Sequence, residues 1–468
     1  MKERRIKRWM LTSLIIGITL VFSGCQSPME PTAAISDSLP EITPIANITS
    51  VSPTAEVQAS LEPLVSPIPT PVLEVYKIQG FYDQYGAYRV VGLLKNNTDQ
   101  FLDNIEVEVT IFDSEGDLLY SDVVYTLLYT LAPGESTPFE LLVRDSLSEA
   151  QDVFGAAIGF DSSNLERQVI QTRNSVVAID ENGNLHITGE LFNNTQDPVQ
   201  INGLAAAILD KKGGLLTAGD LSAGIQYLDP GEAGPFRVTM LGPVERIPEI
   251  GDYQIYIDSE AVPPQDYFDL KFAEPQYYFV DQFDSFHLVG EIANNSERSL
   301  TMRVVAAIYN QNGQVLDVAS TDLPFSSLES GSMLPYDFKY WGPLNSIPGL
   351  VDSATKYSVQ WDPNWTYPNN RGTAELSISN ETNSVEAGYA IYEGIAVNNS
   401  GNILQNAVVI VSIFDPLSSQ ILAMNYQSYF DELSDGQSFA YRIEVAIEPD
   451  LYLENAKVVI VAKGELAE

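Results

Sequence analysis

Histidine, cysteine and tryptophan are the scarce residue types of this 468-residue chain, with two, one and four copies, and the search for chemistry starts with them. The two histidines, His186 and His287, each stand three residues before a glycine, Gly189 and Gly290. Arg89 and Ile391 occupy the same place before Gly92 and Gly394, so the position recurs and reads as a strand-surface, structural one. A Ser-His-Asp arrangement would need one of these histidines, and no nucleophile-elbow motif accompanies either. Cys25, the only cysteine, can form neither an internal disulfide nor a cysteine-ligated zinc site. Acidic pairs such as Asp180-Glu181 and Asp431-Glu432 would suit a two-carboxylate glycosidase. With 63 acids such pairs arise by composition alone, and these sit at turns. The expectation is therefore no enzyme, no cofactor and no metal. Trp341, Trp361 and Trp365, three of the four tryptophans, fall within 25 residues beside Asp362 and Asn364. Their rings could stack on the C–H faces of sugars, or they could serve as core and interdomain wedge.

The chain opens like an exported protein. Lys2, Arg4, Arg5, Lys7 and Arg8 precede a mainly apolar stretch from Met10 to Phe22, too short to span a hydrocarbon core of ~30 Å. Phe22-Ser23-Gly24-Cys25 follows and resembles the bacterial lipobox, although Phe22 replaces the usual leucine. The resemblance implies cleavage of residues 1–24 and a diacylglyceryl group on Cys25. Two or more acyl chains hold a protein stably on a bilayer, where one does not. The expected location is thus extracytoplasmic, anchored to the cell membrane through acylated Cys25, or to an outer membrane where one exists. Gln26, not Asp, follows the cysteine.

Net charge is −39 and becomes −43 once the leader, with five basic residues and one acid, is removed. Such a charge repels nucleic acid and anionic headgroups, which excludes polyanion binding as a general function. Residues 25–73 form a disordered tether with nine prolines and no glycine, aromatic or basic residue. Its reach lies between ~40 Å as a coil and ~150 Å if polyproline-like.

The rest of the chain repeats with a period near 100 residues. Each copy carries Gly-x-x-x-Asn-Asn-Ser/Thr, at Gly92, Gly189, Gly290 and Gly394. Then come Ile111-Phe112-Asp113, Ile208-Leu209-Asp210, Ile308-Tyr309-Asn310 and Ile413-Phe414-Asp415. A glycine turn follows at Gly134, Gly231, Gly331 and Gly436, each five residues before an aromatic. Alternation before the first signature, Ile105-Glu-Val107-Glu-Val109-Thr-Ile111, predicts a strand with one buried face. Asp113 and its counterparts should open turns, and Asn-Asn should itself be a turn with left-handed backbone. The prediction is an all-β chain of four tandem immunoglobulin-like antiparallel β-sandwich domains, at 74–164, 165–264, 265–367 and 373–468. The middle pair should meet through polar contacts with little shared core, so that each module folds alone. Residues 74 to 466 resemble the bacterial FxLYD-type modules of surface lipoproteins, through the signatures ending at Asp113 and Asp415. That resemblance implies a fold and a surface location but no chemistry. The function expected is an interaction or spacer module whose partner is the bilayer and another surface protein or polysaccharide. A glycan- or wall-binding role for Trp341, Trp361 and Trp365 is the alternative, with a glycosidase behind it.

Overall fold

The computed structural model describes residues 71–467, apart from 145, 146, 148, 166, 266, 340, 450 and 452. The leader, Cys25 and nearly all of the tether lie outside the described residues. The described residues all belong to one compact unit. It is all-β, and its strands form four sandwiches in tandem.

Each sandwich has two antiparallel layers, which in the second module are joined by Leu215–Gly224, a strand paired with both Val199–Asp210 and Ala233–Leu241. In the first module the sheet bearing the repeat glycine joins Leu73–Tyr82, Tyr88–Asn96 and Ser136–Val143. The sheet bearing the Ile-Phe-Asp signature joins Leu118–Tyr125, Phe101–Phe112 and Asp152–Ser163. We call these the glycine sheet and the signature sheet. Both recur in the second module, around Asn184–Phe192 and Val199–Asp210. They recur in the third around Phe286–Asn294 and Arg303–Tyr309, and in the fourth around Tyr389–Val397 and Leu404–Phe414. In the first module Val90, Leu94, Val107, Val109, Ile111 and Phe139 fill the space between the sheets.

The repeat markers meet in space. Gly92 lies opposite Phe139, Gly189 opposite Phe236, Gly290 opposite Tyr336 and Gly394 opposite Tyr441. A Cβ on any of these glycines would collide with the opposing ring, so the aromatic fills the volume the glycine leaves. The first asparagine of each Asn-Asn pair is fully buried. Asn96 Nδ2 donates to the carbonyls of Gln100 (2.8 Å) and Leu131 (3.1 Å), while its Oδ1 accepts from the Thr98 backbone N–H (2.9 Å) and hydroxyl (2.7 Å). Its backbone exchanges hydrogen bonds with the Pro-Gly-Glu turn, through Glu135 and Gly134. Asn193, Asn294 and Asn398 repeat the whole set. The left-handed turn expected at Asn-Asn is absent, because neither residue of any pair has positive φ. The asparagine is instead an internal tie between two loops, chosen because only an amide offers two donors and an acceptor on one short stem.

The modules do not meet through polar contacts alone. The outward face of each glycine sheet packs against the outward face of the next module's signature sheet. Val91 and Leu93 share an apolar cluster with Ala207, Leu209, Leu215 and Ala218. Val305, Ala307, Tyr309, Val315 and Val318 of the third module belong to the core of the second. Cores of the third and fourth modules are likewise continuous. Each inner module therefore has its neighbours on opposite faces. Polar ties brace these joints: Arg237 pairs with the fully buried Asp317 at 2.7 Å, and Tyr309 donates to Glu190 at 2.9 Å. The Gly-Pro-x-x-x-Ile-Pro loops of the middle modules clasp the preceding module, Arg246 donating to Gln79 (2.6 Å) and Ser346 accepting from Glu181 N–H (3.3 Å).

Candidate functional site

The three tryptophans occupy three different environments. Trp341 is buried at the end of the third core, its indole N–H donating to the Phe338 carbonyl (2.8 Å) and its ring edge-on to Phe286. It cannot offer a face to a sugar. Trp361 is half-buried on Lys356–Trp361, opposite Val304 and edge-on to Phe268. Trp365 alone is open, at 43% exposure, on a short 3-10 turn capped by Asp362, which accepts from Asn364 N–H (3.1 Å). Burial pushes the Asp362 carboxyl up to about 6. The Trp365 indole reaches the second module, donating to Gln226 Oε1 (3.0 Å), and the Arg303 guanidinium lies 4.3 Å from its ring centre. Opposite it, across a groove between the third and fourth modules, stands Phe430. Sequence reasoning missed Arg303 and Phe430, since neither carries a motif and the groove is made only when two modules dock.

The histidines are on a strand surface but not on the molecular surface. His186 and His287 lie on outward faces of glycine sheets, and the next module covers both. Each touches the aspartate of the preceding turn, Asp180 at 3.2 Å and Asp281 at 3.4 Å. Their other nitrogens differ: Nδ1 of His186 meets the Thr239 hydroxyl (3.2 Å), whereas Nδ1 of His287 meets the Asp337 carboxylate (2.9 Å). Burial pulls the His186 pKa down and prevails over Asp180. Burial also acts on His287, but the bond to Asp337 and the charges of Asp337 and Asp281 lift it above the ordinary value. Arg89 holds the same place in the first module, pairing with Asp83 (2.7 Å) and Glu140. This is one buried polar node built three times, and at His287 it borders a hollow of about 330 Å³ shared with Lys339, Tyr389 and Glu444.

The signature acids are turn-makers. Asp113 Oδ1 accepts from Glu115 N–H (2.8 Å) and Asp117 N–H (2.9 Å). Asp210 and Asn310 make the same pair of bonds, and Asp415 takes three from Leu417 and Ser418. Those backbone donors hold the Asp210 and Asp415 carboxyls below the usual range. Among the described residues no group of three or more His, Cys, Asp or Glu could hold a metal ion, and no helix is long and apolar enough to cross a membrane.

No family model and no curated protein matches the chain. Among solved structures it is similar to a tetra-tandem repeat from the extending region of a large adhesion protein, at 13% identity and a TM-score of 0.12. That match covers 81% of this chain and 95% of the other. It is also similar to a calcium-binding mutant of a Bacteroides uniformis beta-glucuronidase, at 11% identity and a TM-score of 0.11, over 58% of this chain and 29% of that one.

Proposed function

We propose that the chain is a non-enzymatic, extracytoplasmic lipoprotein, anchored through Cys25, that presents its module stack to a partner protein. Export and anchoring are supported by the leader and by Phe22-Ser23-Gly24-Cys25; a binding role is supported by the unequal end faces of the stack. Leu118 of the first signature sheet is 60% exposed, whereas its counterparts Leu215, Val315 and Ile421 are at 3%, 0% and 3%. Val123, Tyr125 and Phe154 stand exposed on the same face, around Glu106 and Glu108. At the other end the outward face is polar, with Ser384, Glu393, Arg442 and Glu444. A stack that needed only to stay soluble would cap both ends with polar residues. Among the described residues, the first face is the uncovered copy of a surface that elsewhere receives the preceding module's glycine sheet. Glu106 and Glu108 stand where the other modules have Ala205, Val305 and Ile410 or their neighbours, so the fitting partner is a sheet face carrying Lys or Arg amid apolar residues.

The test places a photo-crosslinking residue at Leu118 or at Ser384 in living cells, with and without Cys25→Ser. One discrete extracytoplasmic adduct from position 118 and none from position 384 is the expected result, and Cys25→Ser should abolish lipidation and leave the protein unprocessed or released. Equal crosslinking from both positions, or equal labelling of wild type and Cys25→Ser by a fatty acid, would overturn the reading.

A further inference from the structure

We propose that the joint between the third and fourth modules is a binding groove for a neutral oligosaccharide. This goes beyond the anchoring and docking roles above and does not depend on them. The groove has a volume of about 340 Å³, with Met302 and Phe325 on its floor. Trp365 and Tyr367 line one side and Phe430 the other, at 43%, 53% and 80% exposure. Three large rings left open around one concavity, in a chain that buries Phe139, Phe236 and Tyr336 almost completely, call for a ligand with flat apolar faces. A second hollow of about 620 Å³ continues from it past Asn369 and Arg371, sharing Thr301, Ser326, Tyr367 and Asn406. Two adjoining hollows with shared lining suit a chain of rings more than a single one.

The polar groups select the class. Every charge in the groove is paired: Arg303 with Asp322 at 2.9 Å, and Arg371 with Glu465 at 2.9 Å. Glu465 is wholly buried and also accepts from Ser326 and Asn406 (2.9 Å). The lining is therefore neutral, in a protein whose net charge of −39 repels polyanions. Arg303 spends its Nε on Asp322 Oδ1, and its two terminal nitrogens carry no hydrogen bond among the described residues. Asp322 keeps Oδ2 free in turn. A donor pair and an acceptor side by side, next to an aromatic face, match two vicinal hydroxyls on a pyranose ring. One hydroxyl oxygen accepts from Arg303 and its neighbour donates to Asp322, while the ring stacks on Tyr367 or Phe430, since the guanidinium of Arg303 covers one face of Trp365.

The test titrates the full-length protein in detergent micelles with cello-, chito-, malto- and mannohexaose, followed by calorimetry and tryptophan fluorescence. At least one hexaose should bind and perturb the Trp365 emission. Trp365→Ala and Phe430→Ala should each weaken it by about tenfold or more. Trp361→Phe should leave affinity unchanged. Phe430 is so exposed that its removal should not move the melting temperature, which keeps that variant interpretable if Trp365→Ala unfolds. Failure of all four sugars at ~10 mM, which corresponds to negligible affinity, overturns the proposal. So does binding that survives Phe430→Ala, and tighter binding of polygalacturonate than of any neutral hexaose overturns the assigned class.

Discussion

Asn96 and Asp113 use the same side-chain chemistry at opposite depths, and depth decides what each contributes. The Asn96 amide satisfies two carbonyls, a backbone N–H and a hydroxyl, so truncation unties the loop and leaves the buried Leu131 carbonyl without this donor. Asn96→Ala should cost about 3 kcal/mol, and Asn96→Asp should be nearly as damaging, because a carboxylate has no donors and brings a charge. Asp113 bonds two N–H groups beside solvent, so Asp113→Ala should cost about 1 kcal/mol. Asp113→Asn should be almost silent, since Asn310 makes those two bonds in the third copy. Urea midpoints of the four full-length variants check the order. If Asp113→Asn matched Asp113→Ala, the charge itself would matter, and a cation site would become the better account of that turn. The sequence showed the spacing of Asn-Asn and Pro-Gly-Glu, but not that one residue ties them. Asparagine is common in turns and in buried ties alike, and only the partner carbonyls, 35 residues away at Leu131, separate the two.

At the scale of the element, the glycine-sheet hairpins of the first three modules place a base six residues after a turn aspartate, and in the two that carry histidine the neighbouring strand sets its titration. His186 faces Asp180, with Thr239 beside it and Asp317 and Arg237 nearby; its pKa is lowered, so the unfolded chain binds the proton more readily. Stability from this site is therefore present above about pH 6.5 and declines as the pH falls below that. His287 lies between Asp337 and Asp281, and its pKa is raised. Its contribution is full below the unfolded value and is lost as pH rises through the folded one. The melting temperature of His287→Gln relative to wild type should improve as pH rises through the neutral range, and that of His186→Gln should improve as pH falls from 7 to 5. Parallel pH profiles for the two variants would show that the Thr239–Asp337 difference does not govern them. The shared register before the repeat glycine put both histidines on a strand surface, and both do lie on the outward face of their sheets. It could not show that the face is covered, because the cover comes from the next module.

For the whole molecule the same point decides whether the four sandwiches are independent. The first signature strand alternates strictly, but the later ones read Leu204-Ala-Ala-Ala-Ile208-Leu209, Val304-Val-Ala-Ala-Ile308-Tyr309 and Val408-Val-Ile-Val411. Continuous apolar runs mark strands buried on both faces. The signal for stacking was therefore in the sequence, and it was obscured by taking the first copy as the pattern for all. The consequence is energetic coupling. Burying a side chain such as Leu215 at a joint contributes about 2 kcal/mol, and that stabilisation belongs to two modules at once. Residues 165–264 expressed alone would expose Ala207, Leu209, Leu215 and Ala218 on one face and strip Arg237 of Asp317 on the other. That piece should aggregate or fail to give a cooperative melt. The sharper comparison leaves the chain whole. Ala307 is fully buried in the joint between the second and third modules, so Ala307→Glu places a charge where it can neither be solvated nor paired. With coupled modules, hydrogen exchange should quicken in the second module around Thr188, whose hydroxyl donates to the Val315 carbonyl (2.5 Å), as well as in the third. Independent beads would loosen in the third module alone. Unchanged protection at Ile187 and Val238, in the core of the second module, would return the chain to that simpler picture.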